Sequence, residues 1–97
     1  MARKNTQNAV PAWINGTSYR ARGRRGSPIS TAGGELFSYN KMIGKFSDVS
    51  DRVVIINTER YSVTTTCQQN GVVALMHNRG YEVILCDSED MFHKVNR

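Results

Sequence analysis

The stretch VVIINTERYSVTTTCQQNGVVALMHNRGYEVILC, Val53 to Cys86, decides the fold of this 97-residue chain. It opens on four consecutive β-branched residues, Val53 to Ile56, whose side chains suit a strand covered on both faces. Gln68 and Gln69 each stand three residues after a threonine, Thr65 and Thr66, which is the spacing of a capping box and marks a helix start. Val72, Leu75, Met76 and Arg79 then fall at i, i+3, i+4 and i+7, and Gly80 follows the cationic Arg79 as a stop. The pattern predicts a helix over about 65–79. Gly71 inside it costs about 1 kcal/mol relative to alanine, which a close approach to the sheet would explain. Tyr81 to Cys86 returns to two-residue alternation and reads as a strand.

Upstream, Leu36 to Phe46 places Phe37, Tyr39 and Ile43 on one face and Leu36 and Met42 on the other, so it is expected to be a single strand. Ser47 to Asp51 is turn chemistry, and the strands on either side of it should pair as an antiparallel hairpin. Downstream, Asp87-Ser88-Glu89-Asp90 supplies a cap and first-turn acids, with Lys94 and Arg97 at the other end, for a short C-terminal helix carrying Met91, Phe92 and Val95 on its apolar side. The expected fold is α+β: a small antiparallel sheet, β-β-α-β, packed on one main helix over residues 35–97. Residues 1–34 are expected to be a basic, flexible extension. Within it, 1–11 reads as a polar tail, Trp13 to Tyr19 as a short hairpin around Asn15-Gly16, and 20–34 as a glycine-containing loop.

Charge divides the chain at the same point. Six of the 13 basic residues and none of the eight acidic ones lie in the first 34 positions, so the surplus of +5 belongs to that end. Four arginines, Arg20, Arg22, Arg24 and Arg25, fall within six residues. A basic segment without carboxylates cannot neutralise itself and seeks phosphate or an acidic protein face, and guanidinium groups fork onto either kind of oxygen. Trp13 and Tyr19 nearby are candidates for stacking on bases or anchoring a protein interface.

The other constellations are weaker. Ser62, Thr64, Thr65 and Thr66 lead into a helix N-terminus, where backbone N–H groups and hydroxyls can hold an anion, although ordinary capping uses the same residues. Cys67, His77, Cys86 and His93 are ligand types at separations that match no common zinc arrangement, and the two thiols are expected to be reduced and packed. Glu89 and Asp90 suit a helix dipole without an acid–base role. No phosphate-binding glycine motif and no converging nucleophile and base stand in the sequence, so a non-enzymatic protein without cofactor is expected. The charged N-terminus has no apolar stretch behind it, and no run is long enough to span a bilayer, which points to the cytoplasm and away from membranes.

Leu36, Ser38, Tyr39 and Ile43, followed by Asn57, Tyr61, Ser62, Thr64, Thr65 and Gln69, resemble the pattern Leu-x-Ser-Tyr-x-Thr-x-Ile-Ala … Asn-x-Thr-Lys-Tyr-Ser-x-Thr-Thr-Ser-x-His-Gln. That pattern belongs to a family of small bacteriophage and mobile-element proteins of unassigned function. The chain departs from it with Lys41 for threonine, Gly44 for alanine, Thr66 for serine and Gln68 for histidine. The resemblance implies a phage setting and a host cytoplasm, and supplies no activity. With the arginine cluster it suggests a phage-type inhibitor or modulator of a host protein or nucleoprotein complex, of the anti-defence kind that acts on CRISPR systems. The alternatives are a plain DNA- or RNA-binding protein that tracks the backbone, and a small virion or assembly component that self-associates through an exposed strand at Leu36–Phe46.

Overall fold

The structure is a computed structural model that describes residues 4–21, 28–39, 41–61 and 63–95. The class is α+β, with three helices and one six-stranded mixed sheet among the described residues. The elements are α1 (Lys4–Asn15), β1 (Tyr19–Arg20), β2 (Ser30–Ala32), β3 (Glu35–Ser38), β4 (Lys41–Phe46), β5 (Val53–Asn57), α2 (Val63–Asn78), β6 (Glu82–Cys86) and α3 (Glu89–Lys94). The strands lie side by side in chain order, β1-β2-β3-β4-β5-β6. The first five are successively antiparallel, whereas β6 runs parallel to β5. The expectation of a wholly antiparallel sheet is corrected by α2: a helical crossover returns the chain to the end where β5 began, so the next strand must run the same way.

The N-terminal third is the larger correction. Residues 4–15 form a helix that belongs to the main core, not a polar tail with a hairpin at 13–19. Thr6, Ala9, Val10 and Trp13 fall at i, i+3, i+4 and i+7, and all four are buried. Polar neighbours and Pro11 obscure that stripe in the sequence. Proline removes the bond to the carbonyl of Gln7, and Gln7 is exposed, so water can satisfy that group. The helix stops where Gly16 adopts φ +72° and Thr17 N–H donates to Ala12 O at 2.9 Å. Gly33 and Gly34, both at positive φ, form the two-residue turn between β2 and β3, so these glycines serve a hairpin.

Leu36–Phe46 is likewise two strands. The chain reverses at Tyr39, which takes φ +54°. Leu36 faces Gly44 and Phe37 faces Met42, which makes Ile43 the extra residue of a bulge. Ile43 and Gly44 therefore both face the helices, where Ile43 joins the core and a Cβ on Gly44 would lie 3.0 Å from Trp13 Cζ2 and Cη2. Both strands are paired on each side, so neither offers the free edge expected for self-association.

The run Val53–Ile56 behaves as its composition implied. Val54 and Ile56 enter the main core with α1 and α2, while Ile55 faces a second cluster with Cys86 and Phe92 under α3. That short helix is capped as expected, with Met91 N–H donating to Ser88 Oγ at 3.1 Å.

Candidate functional site

Arg20, the first arginine of the basic cluster, lies on β1, which pairs with β2 at one end of the sheet. Tyr19 pairs with Thr31 and Arg20 with Ser30, and Ala21 N–H donates to Ile29 O at 3.0 Å. Thr31 Oγ1 adds a bond to Thr17 O at 2.8 Å. Ala21 and Ile29 are both buried, so the connection that contains the cluster leaves from and returns to the core. Arg20 is exposed on β1, while Arg22, Arg24 and Arg25 lie outside the described residues. Seven peptide steps separate Ala21 from Pro28.

The aromatic residues beside the cluster have other work. Trp13 is completely buried, its indole Nε1 donates to Gly34 O at 2.8 Å, and its ring packs on Phe46 with centroids 5.0 Å apart. It cannot stack on a base or enter an interface while the domain is folded, which corrects its reading as a contact residue. Tyr19 is half-buried against the same core.

At the N-terminus of α2 the expected capping box is replaced by tertiary bonds, because the helix begins earlier, at Val63. Ser38 Oγ donates to Gln68 Oε1 at 2.5 Å, so its contact with Thr65 Oγ1 at 2.9 Å is one in which the threonine hydroxyl donates. Gln68 Nε2 donates to Pro28 O at 2.9 Å, and Gln69 Nε2 donates to Asn57 O at 2.6 Å and Glu59 O at 3.0 Å. Thr65, Gln68, Gln69, Val72 and Met76 form one buried stripe, polar in its first half and apolar in its second. The polar half exists because carbonyls and a hydroxyl of the sheet and its connections face it and need donors or acceptors in a dry interior.

Of the residues considered for an anion site, Thr65 has its hydroxyl committed to Ser38, and Thr66 is half-buried. Ser62 and the side chain of Thr64 lie outside the described part of the structure. The surroundings are acidic. Glu89 N–H donates to Glu59 Oε1 at 2.8 Å, Tyr61 Oη donates to Glu89 Oε1 at 3.2 Å, and Lys41 Nζ lies 3.6 Å from the same carboxylate oxygen. Asn57 Nδ2 donates to Tyr61 Oη at 2.9 Å, and Lys41 sits 5.5 Å from the tyrosine ring centroid. Burial raises the Tyr61 phenol above its usual value and the Glu59 and Glu89 charges add to this, while the bond from Asn57 opposes it. Two carboxylates repel an anion here, so the network serves to join the β5–α2 connection to α3.

Five of the ten residues of the sequence pattern quoted above meet in these two networks: Ser38 with Thr65, and Asn57 with Tyr61 and Gln69. Gln68, which stands where the resembling pattern has histidine, uses one donor and one acceptor, the same pair a neutral imidazole offers. Of the remaining ligand-type residues, Cys86 is buried with its thiol pushed up by desolvation. Cys67 is exposed, contrary to its reading as a packed thiol, and His77 and His93 are exposed as well. No helix among the described residues is long and apolar enough to cross a membrane. No protein-family model matches the chain, and comparison with curated proteins and with solved structures found no significant match.

Proposed function

We propose that this is a non-enzymatic binding protein, a phage-type modulator that docks the arginine-bearing β1–β2 connection into an acidic or phosphate-lined groove of a host nucleoprotein complex. The observation that carries the reading is the attachment of four arginines to a buried base at Ala21 and Ile29. Their mounting is short and tethered at both ends, which suits insertion into one local groove better than tracking along an extended strand. Burial of Trp13 removes the aromatic platform that sequence-tolerant single-strand binding uses. The phage setting and the anti-defence role rest on the resemblance of residues 36–69 described above.

Affinity capture from host lysate, with and without nuclease, tests the proposal against the variant Arg20→Ala/Arg22→Ala/Arg24→Ala/Arg25→Ala. The expected result is one discrete complex, retained by the wild type and lost with the variant. Recovery of bulk nucleic acid alone, abolished by nuclease and with a steep salt dependence, would replace this reading with plain backbone binding.

A further inference from the structure

We infer that the outer edge of β6 is a self-pairing surface, on which a second copy of this chain adds its own β6 antiparallel to extend the sheet across a twofold axis. This goes beyond the docking role proposed for the arginines and does not depend on it. Among the described residues no strand lies beyond β6, so one side of its backbone is unpaired within the chain. Its inner side is defined by Glu82 N–H, which donates to Arg52 O at 3.0 Å, and by Cys86 O, which accepts from Thr58 N–H at 2.7 Å. Alternation puts Ile84 with these two, which leaves the N–H and C=O groups of Val83 and Leu85 pointing outward.

Natural sheets protect free edges with charge, proline, bulges or brevity. The β1 edge has two of these, being two residues long and carrying Arg20. The β6 edge is five residues long and holds no proline, and after Glu82 it reads Val-Ile-Leu-Cys. Its partner strand β5 has Ile56 fully buried, yet Leu85, paired with Ile56, is 56% exposed. Met91, on the helix that follows β6, is 49% exposed, so two of the four exposed large apolar side chains among the described residues lie at this end.

A second copy is the occupant that the hydrogen-bonding pattern and the charges select. Tyr81 N–H is already given to Met76 O, so the outward pairs within the strand are those of Val83 and Leu85. A twofold through Ile84 sets Val83 opposite Leu85 of the other copy and Leu85 opposite its Val83, matching every outward group of both strands. The same register sets Tyr81 opposite the other copy's Asp87. The Arg52 guanidinium lies over the Tyr81 ring, 4.8 Å from its centroid, and Asp87 is exposed. Opposite charges therefore meet twice, once at each end of the paired strands. Five strand spacings, about 24 Å, separate β6 from β1. The two β1 strands, each with its Arg20, thus lie at the far ends of the joined sheet, well beyond the Debye length of about 10 Å, and their like charges do not oppose pairing. Pairing through β1 would bring them together.

Sedimentation equilibrium of the nuclease-treated protein over a wide concentration range tests this. The wild type is expected to pass reversibly from monomer to twice that mass, and Leu85→Lys to remain monomeric with unchanged circular dichroism and with the thermal midpoint of the dilute, monomeric wild type. Asp87→Arg should raise the dissociation constant about tenfold, and the double variant Arg52→Glu/Asp87→Arg should recover most of the loss. A wild type that stays monomeric throughout overturns the inference. So does a dimer that persists in Leu85→Lys, or one abolished by removing the four arginines. No effect of Asp87→Arg would overturn the register.

Discussion

The two ends of the sheet hold their edges in opposite ways. At β1 the terminal strand is two residues long, lies against α1, and leads into a connection with three further arginines. At β6 the strand is longer, contacts α2 and α3, and turns Leu85 toward solvent. The difference teaches that charge and apolar exposure have been kept apart by the width of the sheet. One end can seek an oppositely charged surface while the other, as proposed, receives a copy of itself.

The contrast holds only if the basic end is part of the cooperative core, and the largest predicted effect tests that. Trp13→Ala should cost ~3–5 kcal/mol, measured by denaturant unfolding, because a fully buried indole is removed from between α1 and the sheet. A loss below about 1 kcal/mol would return residues 4–34 to the status of an appended arm. Gly44→Ala should cost ~1–3 kcal/mol by overpacking, since the new methyl would meet Trp13 at 3.0 Å and Leu36 Cβ at 3.3 Å. An unchanged midpoint there would show that α1 rides loosely on β4.

Between the two ends, Gln68→Leu should cost ~1–3 kcal/mol by stranding the Ser38 hydroxyl and the Pro28 carbonyl, whereas Gln68→His should recover part of that. Equal losses in the two variants would show that the amide acts through packing. Nearer β6, Tyr61 gives a pH signature. Its folded-state pKa is raised, so its contribution is complete below the unfolded value near 10 and is lost as pH climbs through the folded value. Wild type minus Tyr61→Phe, followed by unfolding at increasing alkaline pH, should shrink in that window and stay flat below it. A flat difference throughout would remove the burial argument.

The smallest effect on stability belongs to the arginines. Replacing all four by alanine should move unfolding by no more than about 0.5 kcal/mol while abolishing partner capture, because Arg20 is exposed. A large stability loss in that variant would make the cluster structural and dissolve the division of roles between the two edges.

Legibility followed the chemistry of each segment. The β-branched run at 53–56, the helix stripe through Val72 and Met76 and the cap at Ser88 announce themselves, because local periodicity and burial agree there. The helix at 4–15 has its stripe at Thr6, Ala9, Val10 and Trp13, but Pro11 and six exposed or half-exposed neighbours made composition point the other way. The bulge at Ile43 could not be read at all, since an extra residue changes which face each side chain takes without altering the residues themselves. The arginine cluster was plain in the sequence, and its anchorage at Ala21 and Ile29 was not. Gly44 stands where the resembling pattern has alanine, and only the packed indole supplies a reason for the difference.

Sequence alone determined the α+β class, the charge asymmetry and the central strand, helix and strand, because each depends on side-chain type and spacing over a few residues. Tertiary structure decided that the N-terminal third belongs to the core, that Thr65, Gln68 and Gln69 bind the sheet in place of capping their own helix, and which strands end the sheet. Those outcomes turn on which distant groups come to face one another. A hydroxyl or an indole has the same local preferences whether its partner is water, a carbonyl twenty residues away, or a glycine that leaves room for it.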